Sequence, residues 1–330
     1  MLPLIRETET LHSPETLAEQ FPCRANGDGR SGVVLLRSSG NSSQARYSFV
    51  AANPFLIFRA FGSRCEIVVE QDAGSARAAR VVQFGNPWQI LNALMSRFEL
   101  LDEMDLPFPL GGCFGFWGYD LKNSTEPKLP RRAANDLELP DCHVGFYDSL
   151  AVFDHQLGKT FIVSTGLKAD GSRCGEKAKA QFEFWQSLLA SRPPDLPAEG
   201  LSASSREGTP WSLAPNVRSS FSPREFITAA ARAQEYIRRG HIYQANLSQR
   251  LAAPCDIPGR EFFQRLNAVS PAPFAAFLDC GEFQIASSSP EQFLRLSGSH
   301  IVTRPIKGTR PRGAEPARDA QLAYDLQTSA

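Results

Sequence analysis

Between Ser31 and Phe84 five short runs of β-branched and aromatic residues follow one another with little but turn residues between them: GVVLLRS, RYSFVAANP, FLIFRAF, CEIVVE and ARVVQF. Such runs demand a sheet. Four more, PFAAFLD, EFQIASS, QFLRLS and HIVTRPI, lie between Pro273 and Ile306, the last two joined at Ser297-Gly298-Ser299. The spacing predicts a long hairpin over His143 to Gly166 and a strand over HIYQANLSQRL. Strands and helices are grouped rather than strictly alternating, so the expected class is α+β, with sheets of mainly antiparallel strands and packed helices.

Helical periodicity marks the other elements. Asn86 and Pro87 supply an N-cap and a first helical residue, and Trp88, Leu91, Met95 and Phe98 are expected on one inward face. Ala178, Phe182, Trp185 and Leu189 mark a second such helix. Ser222, Pro223 and Glu225 form a capping box, followed by the stripe Phe226, Ala230, Ala233, Ile237 and a stop at Gly240. A helix through Phe262, Phe263 and Leu266 comes next, and the closing segment EPARDAQLAYDLQTSA is helical in character and expected to be cut in mid-element. Residues 191–220, rich in Pro, Ser and Gly, read as a linker between an N-terminal domain (1–190) and a second domain (221–330).

Thirty-five basic residues balance thirty-five acidic ones among 330, and no apolar run is long enough to span a membrane. Neither nucleic acid nor a membrane is an expected partner, and the chain is expected in the cytoplasm. Seven scattered cysteines without a C-x-x-C pair read as buried reduced thiols, and the five histidines lack zinc spacing. The glycines of GGCFGFWGYD (Gly111 to Asp120) do not follow G-x-G-x-x-G and read as close strand packing.

Against this neutral background RPIKGTRPRG places four cations, Arg304, Lys307, Arg310 and Arg312, within nine residues. Taken alone, Lys307 reads as a solvated lysine or, at a strand end beside Gly308, as a nucleophile activated by nearby cations. Glu291, after Pro290 in SSSPEQF, reads alone as a solvated turn carboxylate.

Six ordered motifs, LLRS with ARYSFVAANP, GGCFGFWGYD, GHIYQANLSQR, SPAPF, SSSPEQF and RPIKGT, resemble the chorismate-utilising enzymes, in particular the aminodeoxychorismate synthase component I branch. The anthranilate synthase branch typically has alanine where Lys307 stands. The resemblance implies that Lys307 attacks C2 of chorismate while the C4 hydroxyl leaves, that Glu291 protonates the departing hydroxyl, and that ammonia then enters at C4 and expels the lysine. The product would be 4-amino-4-deoxychorismate, a precursor of p-aminobenzoate and folate. Gly308 and Thr309 would line the chorismate site, and Ser38, Arg46, Tyr47, Pro273, Phe274 and Ala275 match positions lining a tryptophan pocket. Magnesium is the implied cofactor and a glutamine amidotransferase subunit the implied partner. The magnesium-binding glutamates are expected in a carboxy-terminal part beyond residue 330, so that 221–330 is only the first part of a catalytic domain and the 330-residue chain is inactive alone. The rival readings are an anthranilate synthase component I and an inactive chorismate- or tryptophan-binding module.

Overall fold

The computed structural model describes residues 2–22, 32–39, 45–69, 79–100, 104, 106–132, 135–194, 216–297, 299–306 and 308–328. In chain order the elements begin with β1 (Leu4–Thr8), α1 (Pro14–Glu19), β2 (Val34–Arg37), β3 (Tyr47–Ala51), β4 (Leu56–Phe61), β5 (Arg64–Val69) and β6 (Ala79–Phe84). Then come α2 (Pro87–Arg97), β7 (Gly112–Trp117), α3 (Lys122–Thr125), β8 (Cys142–Tyr147), β9 (Ser149–Asp154), β10 (Lys159–Ser164) and α4 (Gly175–Ala190). The remainder is β11 (Arg218–Ser219), α5 (Pro223–Arg238), β12 (Leu251–Ala252), α6 (Gly259–Val269), β13 (Ala275–Asp279), β14 (Gln284–Ser287), β15 (Arg295–Ser297), β16 (His300–Val302) and α7 (Pro316–Gln327).

Residues 1–200 and 259–330 form one compact unit and residues 201–258 another. The larger unit holds a seven-stranded sheet, β1-β10-β9-β3-β2-β13-β14, and a five-stranded sheet, β6-β5-β4-β8-β7. Every pairing in both is antiparallel, as the grouping of strands predicts. One expectation changes here. The proposed division at 191–220 would separate β13 from β2, yet the two pair from Ala275 with Arg37 to Leu278 with Val34. Buried main-chain groups along β2 need a partner, and a strand more than two hundred residues away supplies it.

The His143–Gly166 segment is also not one hairpin. β9 and β10 form one, but β8 belongs to the five-stranded sheet, and the chain changes sheets at Asp148. Thr165 donates to the Asp148 carbonyl through both its amide and its hydroxyl, and the Lys177 ammonium lies 3.0 Å from the Asp148 carboxylate, pinning this corner.

Helices α1, α4 and α6 cover one face of the seven-stranded sheet, where Leu17, Trp185, Leu189 and Phe263 pack on Val33, Leu35, Val50, Phe153 and Phe277. The other face meets the five-stranded sheet through Val34, Leu150, Val152 and Leu278 against Tyr147, Phe114 and Phe116. Trp185 is wholly buried and its indole N–H donates to the Ser149 hydroxyl at 3.0 Å, so the α4 stripe is as predicted. On α2 the stripe is rotated: Pro87, Leu91, Leu94 and Phe98 are inside, spaced by four, three and four, while Trp88 and Met95 are 41% and 45% exposed.

The glycines of β7 serve close packing. A Cβ on Gly115 would stand 2.1 Å from the His143 carbonyl oxygen, and one on Gly111 2.6 Å from that of Tyr147. The six described cysteines are free; Cys65, Cys142 and Cys280 are buried as expected, whereas Cys113 and Cys174 are half-buried and Cys255 is exposed, and Cys23 lies outside the described residues.

In the smaller unit Ser222 caps α5 as predicted, accepting from the Glu225 amide while the Glu225 carboxylate accepts from the Ser222 amide at 2.8 Å. The strand expected over HIYQANLSQRL is reduced to β12, paired with β11 through two residues. Its apolar residues Ile242, Ala245 and Leu247 are spaced by three and then two, which breaks the alternation a longer strand requires.

Candidate functional site

Two clusters of the expected residues can be built from the fold upward. The first lies where β14 ends. Pro290 cannot extend the ladder, so the chain turns out, and the β15–β16 hairpin, in which Arg295 faces Val302, folds the following segment back alongside it. The Thr303 hydroxyl donates to the Phe293 carbonyl at 2.9 Å. Through this doubling back the Glu291 carboxylate accepts a hydrogen bond from the Ile306 amide at 3.2 Å, although fifteen residues separate them. The carboxylate of the S-P-E motif is thereby tied to the residue before Lys307, which itself lies outside the described residues. Gly308 lies against the Leu326 side chain of α7, where a Cβ would meet that side chain's terminal methyl at 2.6 Å. Thr309 is exposed. Of the four cations of the motif, Arg312 is committed to the Asp319 carboxylate by two hydrogen bonds of 2.7 Å, which hold Asp319 below its usual range.

The second cluster collects the residues matched to the tryptophan pocket. The Ser38 hydroxyl donates to the Pro273 carbonyl at 2.9 Å, the Ser39 amide to the Ala272 carbonyl at 3.1 Å, and the Phe274 amide to the Ser289 carbonyl at 3.2 Å. Ala275 faces Arg37 across the β2–β13 ladder. Residues 235 positions apart therefore meet. Arg46 and Tyr47 sit at the start of β3, the Arg46 guanidinium 4.7 Å from the Tyr47 ring centre. Two Arg46 nitrogens, Nε and Nη2, are bound to Asp154, at 2.8 Å for the closer contact, so that this cation arrives neutralised. Burial, then the Asp154 charge, push the Tyr47 phenol up. The Ser39 hydroxyl is buried without a partner among the described residues.

Sequence reasoning missed the residues behind this cluster: Glu15, Arg37, Ser48, Asp154 and His155. Ser48 is wholly buried, and its hydroxyl receives the Ser38 amide at 3.0 Å and lies 2.6 Å from His155 Nε2. The available signal was a serine at an inward position of an otherwise apolar run, RYSFVAA. For the implied magnesium, no group of three His, Cys, Asp or Glu side chains gathers among the described residues, so these residues by themselves do not make its site. A cavity of about 520 Å³ opens beside α2 and β7, lined by Phe55, Phe98, Phe108 and Tyr147, and contains none of the expected site residues. No helix among the described residues is long and apolar enough to cross a membrane.

Comparison with known proteins fits this geometry. Anthranilate synthase component 1 of Thermus thermophilus is 36% identical over 88% of this chain and 57% of its own length. Aminodeoxychorismate synthase component 1 of Salmonella typhimurium is 35% identical over 72% of this chain and 48% of its own. A crystal structure of anthranilate synthase component I from Streptococcus pneumoniae superposes with a TM-score of 0.64 at 24% identity, covering 88% of this chain and 58% of that one, and so shares the fold. The chain thus spans about half the length of these relatives, and their names divide between anthranilate synthase and aminodeoxychorismate synthase. Residues 41–330 match the sequence model described as chorismate binding enzyme, and the chain belongs to that family.

Proposed function

We propose that the full-length protein is the chorismate-converting component of an aminodeoxychorismate synthase, making 4-amino-4-deoxychorismate from chorismate and ammonia supplied by a glutamine amidotransferase. The observation that supports this reading is the Glu291 carboxylate accepting from the amide of Ile306, the residue before Lys307; Glu291 is assigned the role of proton donor. Lys307 is the nucleophile: its amine bonds to C2, the C4 hydroxyl departs as water with a proton from Glu291, and ammonia at C4 then expels the lysine. Lysine at this position favours the aminodeoxychorismate product over anthranilate, since direct attack of ammonia at C2 needs no side-chain amine. Gly308 and Thr309 border chorismate. Magnesium, when bound, would neutralise substrate carboxylate charge; no step is assigned to it. The deciding assay supplies chorismate, magnesium and ammonia to the full-length protein. Aminodeoxychorismate without pyruvate is expected, whereas anthranilate with pyruvate would overturn the assignment.

The second cluster is read as a tryptophan pocket, because Ser38 meets Pro273 and the buried hydroxyl of the adjacent Ser39 lacks a partner among the described residues. The Ser38 proton is spent on Pro273, so its free lone pairs can accept from a ligand N–H. L-Tryptophan at a hundred times its Kd is expected to stabilise the protein by about 2.7 kcal/mol, seen as a raised Tm, with the shift reduced in Ser38→Ala. An equal shift in both proteins would place tryptophan elsewhere.

A further inference from the structure

We infer that His155 is a positioning residue for the Ser38–Pro273 pocket, acting through Ser48, so that the pocket holds its ligand only while His155 is neutral. The inference rests on the reading of that pocket as a tryptophan site.

The hydrogen bonds allow one proton arrangement. Ser48 Oγ already receives the Ser38 amide at 3.0 Å, and its single proton remains to be placed. His155 Nε2 is 2.6 Å away, and because the neighbouring Arg37 guanidinium can only donate, the arrangement that satisfies both contacts leaves Nε2 unprotonated and accepting the Ser48 proton. Arg37 Nη1 points at the same nitrogen from 3.1 Å and also donates to the Ser38 carbonyl at 2.5 Å. Arg37 is held in turn by the Glu15 carboxylate at 2.5 Å. Both main-chain groups of Ser38 are therefore fixed by a set that converges on one imidazole lone pair. The next atom along, the Ser38 hydroxyl, is the one that meets Pro273.

Protonating Nε2 removes that lone pair and turns an N–H toward a guanidinium and a hydroxyl that was donating. Ser48 must then reorient, and the Ser38 amide loses its acceptor. The charged groups facing His155 are Arg37 from β2, Glu15 from α1 and the preceding Asp154 at the end of β9. Burial and Arg37 hold the imidazole below its usual 6.5, outweighing the two carboxylates. The neutral form is thus secure above about pH 6.5 and is lost as pH falls through the lower folded value.

The experiment uses the full-length protein and L-tryptophan, with affinity measured by calorimetry from pH 8 to pH 5. Wild type is expected to hold its affinity from pH 8 to about pH 6.5 and to lose affinity progressively as the pH falls below that toward 5. His155→Gln, whose amide oxygen can accept from Ser48 and Arg37 without titrating, should keep its affinity at pH 5. His155→Phe, with no acceptor, should bind weakly at every pH. Identical pH profiles for wild type and His155→Gln would overturn the inference.

Amide hydrogen exchange at Ser38 gives a readout independent of ligand: its protection factor should fall toward pH 5 in wild type and stay level in His155→Gln. Unchanged protection in wild type also overturns the inference. If protection follows His155 while tryptophan binds at no pH, the linkage stands and the tryptophan reading fails.

Discussion

Replacing Lys307 with alanine in the full-length protein should slow aminodeoxychorismate formation by roughly three orders of magnitude or more, because a lost nucleophile removes a route rather than weakening a contact. Lys307→Arg should be equally damaging, since a guanidinium stays protonated at any pH the fold survives and cannot attack C2. Circular dichroism should be unchanged in both variants. The wild-type protein, mixed with chorismate and magnesium but no ammonia, should gain the mass of chorismate less one water, located on Lys307 by peptide mapping. Glu291→Gln should slow formation of that adduct, because a glutamine cannot supply the proton that leaves with the hydroxyl. It can still accept the Ile306 amide through its side-chain oxygen, so the variant separates proton donation from local structure. With ammonia supplied, Lys307→Ala leaves space for direct attack at C2 and should give traces of an anthranilate-type intermediate. Normal turnover in Lys307→Arg, with no adduct on the wild type, would reduce Lys307 to a surface charge.

How far the sequence could be read differs between the fold and the site, and particular residues show why. The α4 stripe was legible because Ala178, Trp185 and Leu189 repeat at helical spacing and all three are buried. The α2 stripe was misread by one position because its helix is apolar on more than one side; only the sheet it packs against chooses Leu94 over Met95. The pairing of β2 with β13 was not legible from pattern, since Val34–Arg37 and Ala275–Asp279 look like any two strands and nothing local records which partner each will take. For the site, the ordered motifs single out Ser38, Pro273 and Glu291, and the hydrogen bonds join Ser38 to Pro273 at 2.9 Å and the Ile306 amide to Glu291 at 3.2 Å. Ser48 and His155 carried no motif. Their role lies in where one hydroxyl proton must go, and that is fixed only when four elements meet.

His143 gives the second large expectation, and it concerns stability. Its ring is 6% exposed, stacked on Phe116 with 6.4 Å between ring centres and met edge-on by Phe283 at 6.0 Å. Across the β4–β8 ladder it faces Arg59, and its Nδ1 has no partner among the described residues. Burial first, and the Arg59 charge second, push the imidazole down to about 3 from an ordinary 6.5. Between those values the unfolded chain binds a proton that the folded one refuses, so stability falls as pH falls. Each unit is worth about 1.36 kcal/mol, and the full interval on the order of 5 kcal/mol, a large share of the roughly 5–15 kcal/mol that holds a domain together. The contribution is complete above pH 6.5 and gone below about pH 3. His143→Phe keeps an aromatic ring between Phe116 and Phe283 and has no proton to gain. At pH 7 its urea midpoint should lie close to that of wild type, because the neutral imidazole there makes no Nδ1 hydrogen bond to lose. At pH 4 the variant should be more stable than wild type by about 3 kcal/mol on the same per-unit scale. Equal losses between pH 7 and pH 4 would mean that the folded protein accommodates the imidazolium, with Arg59 turned away or water admitted between the two sheets.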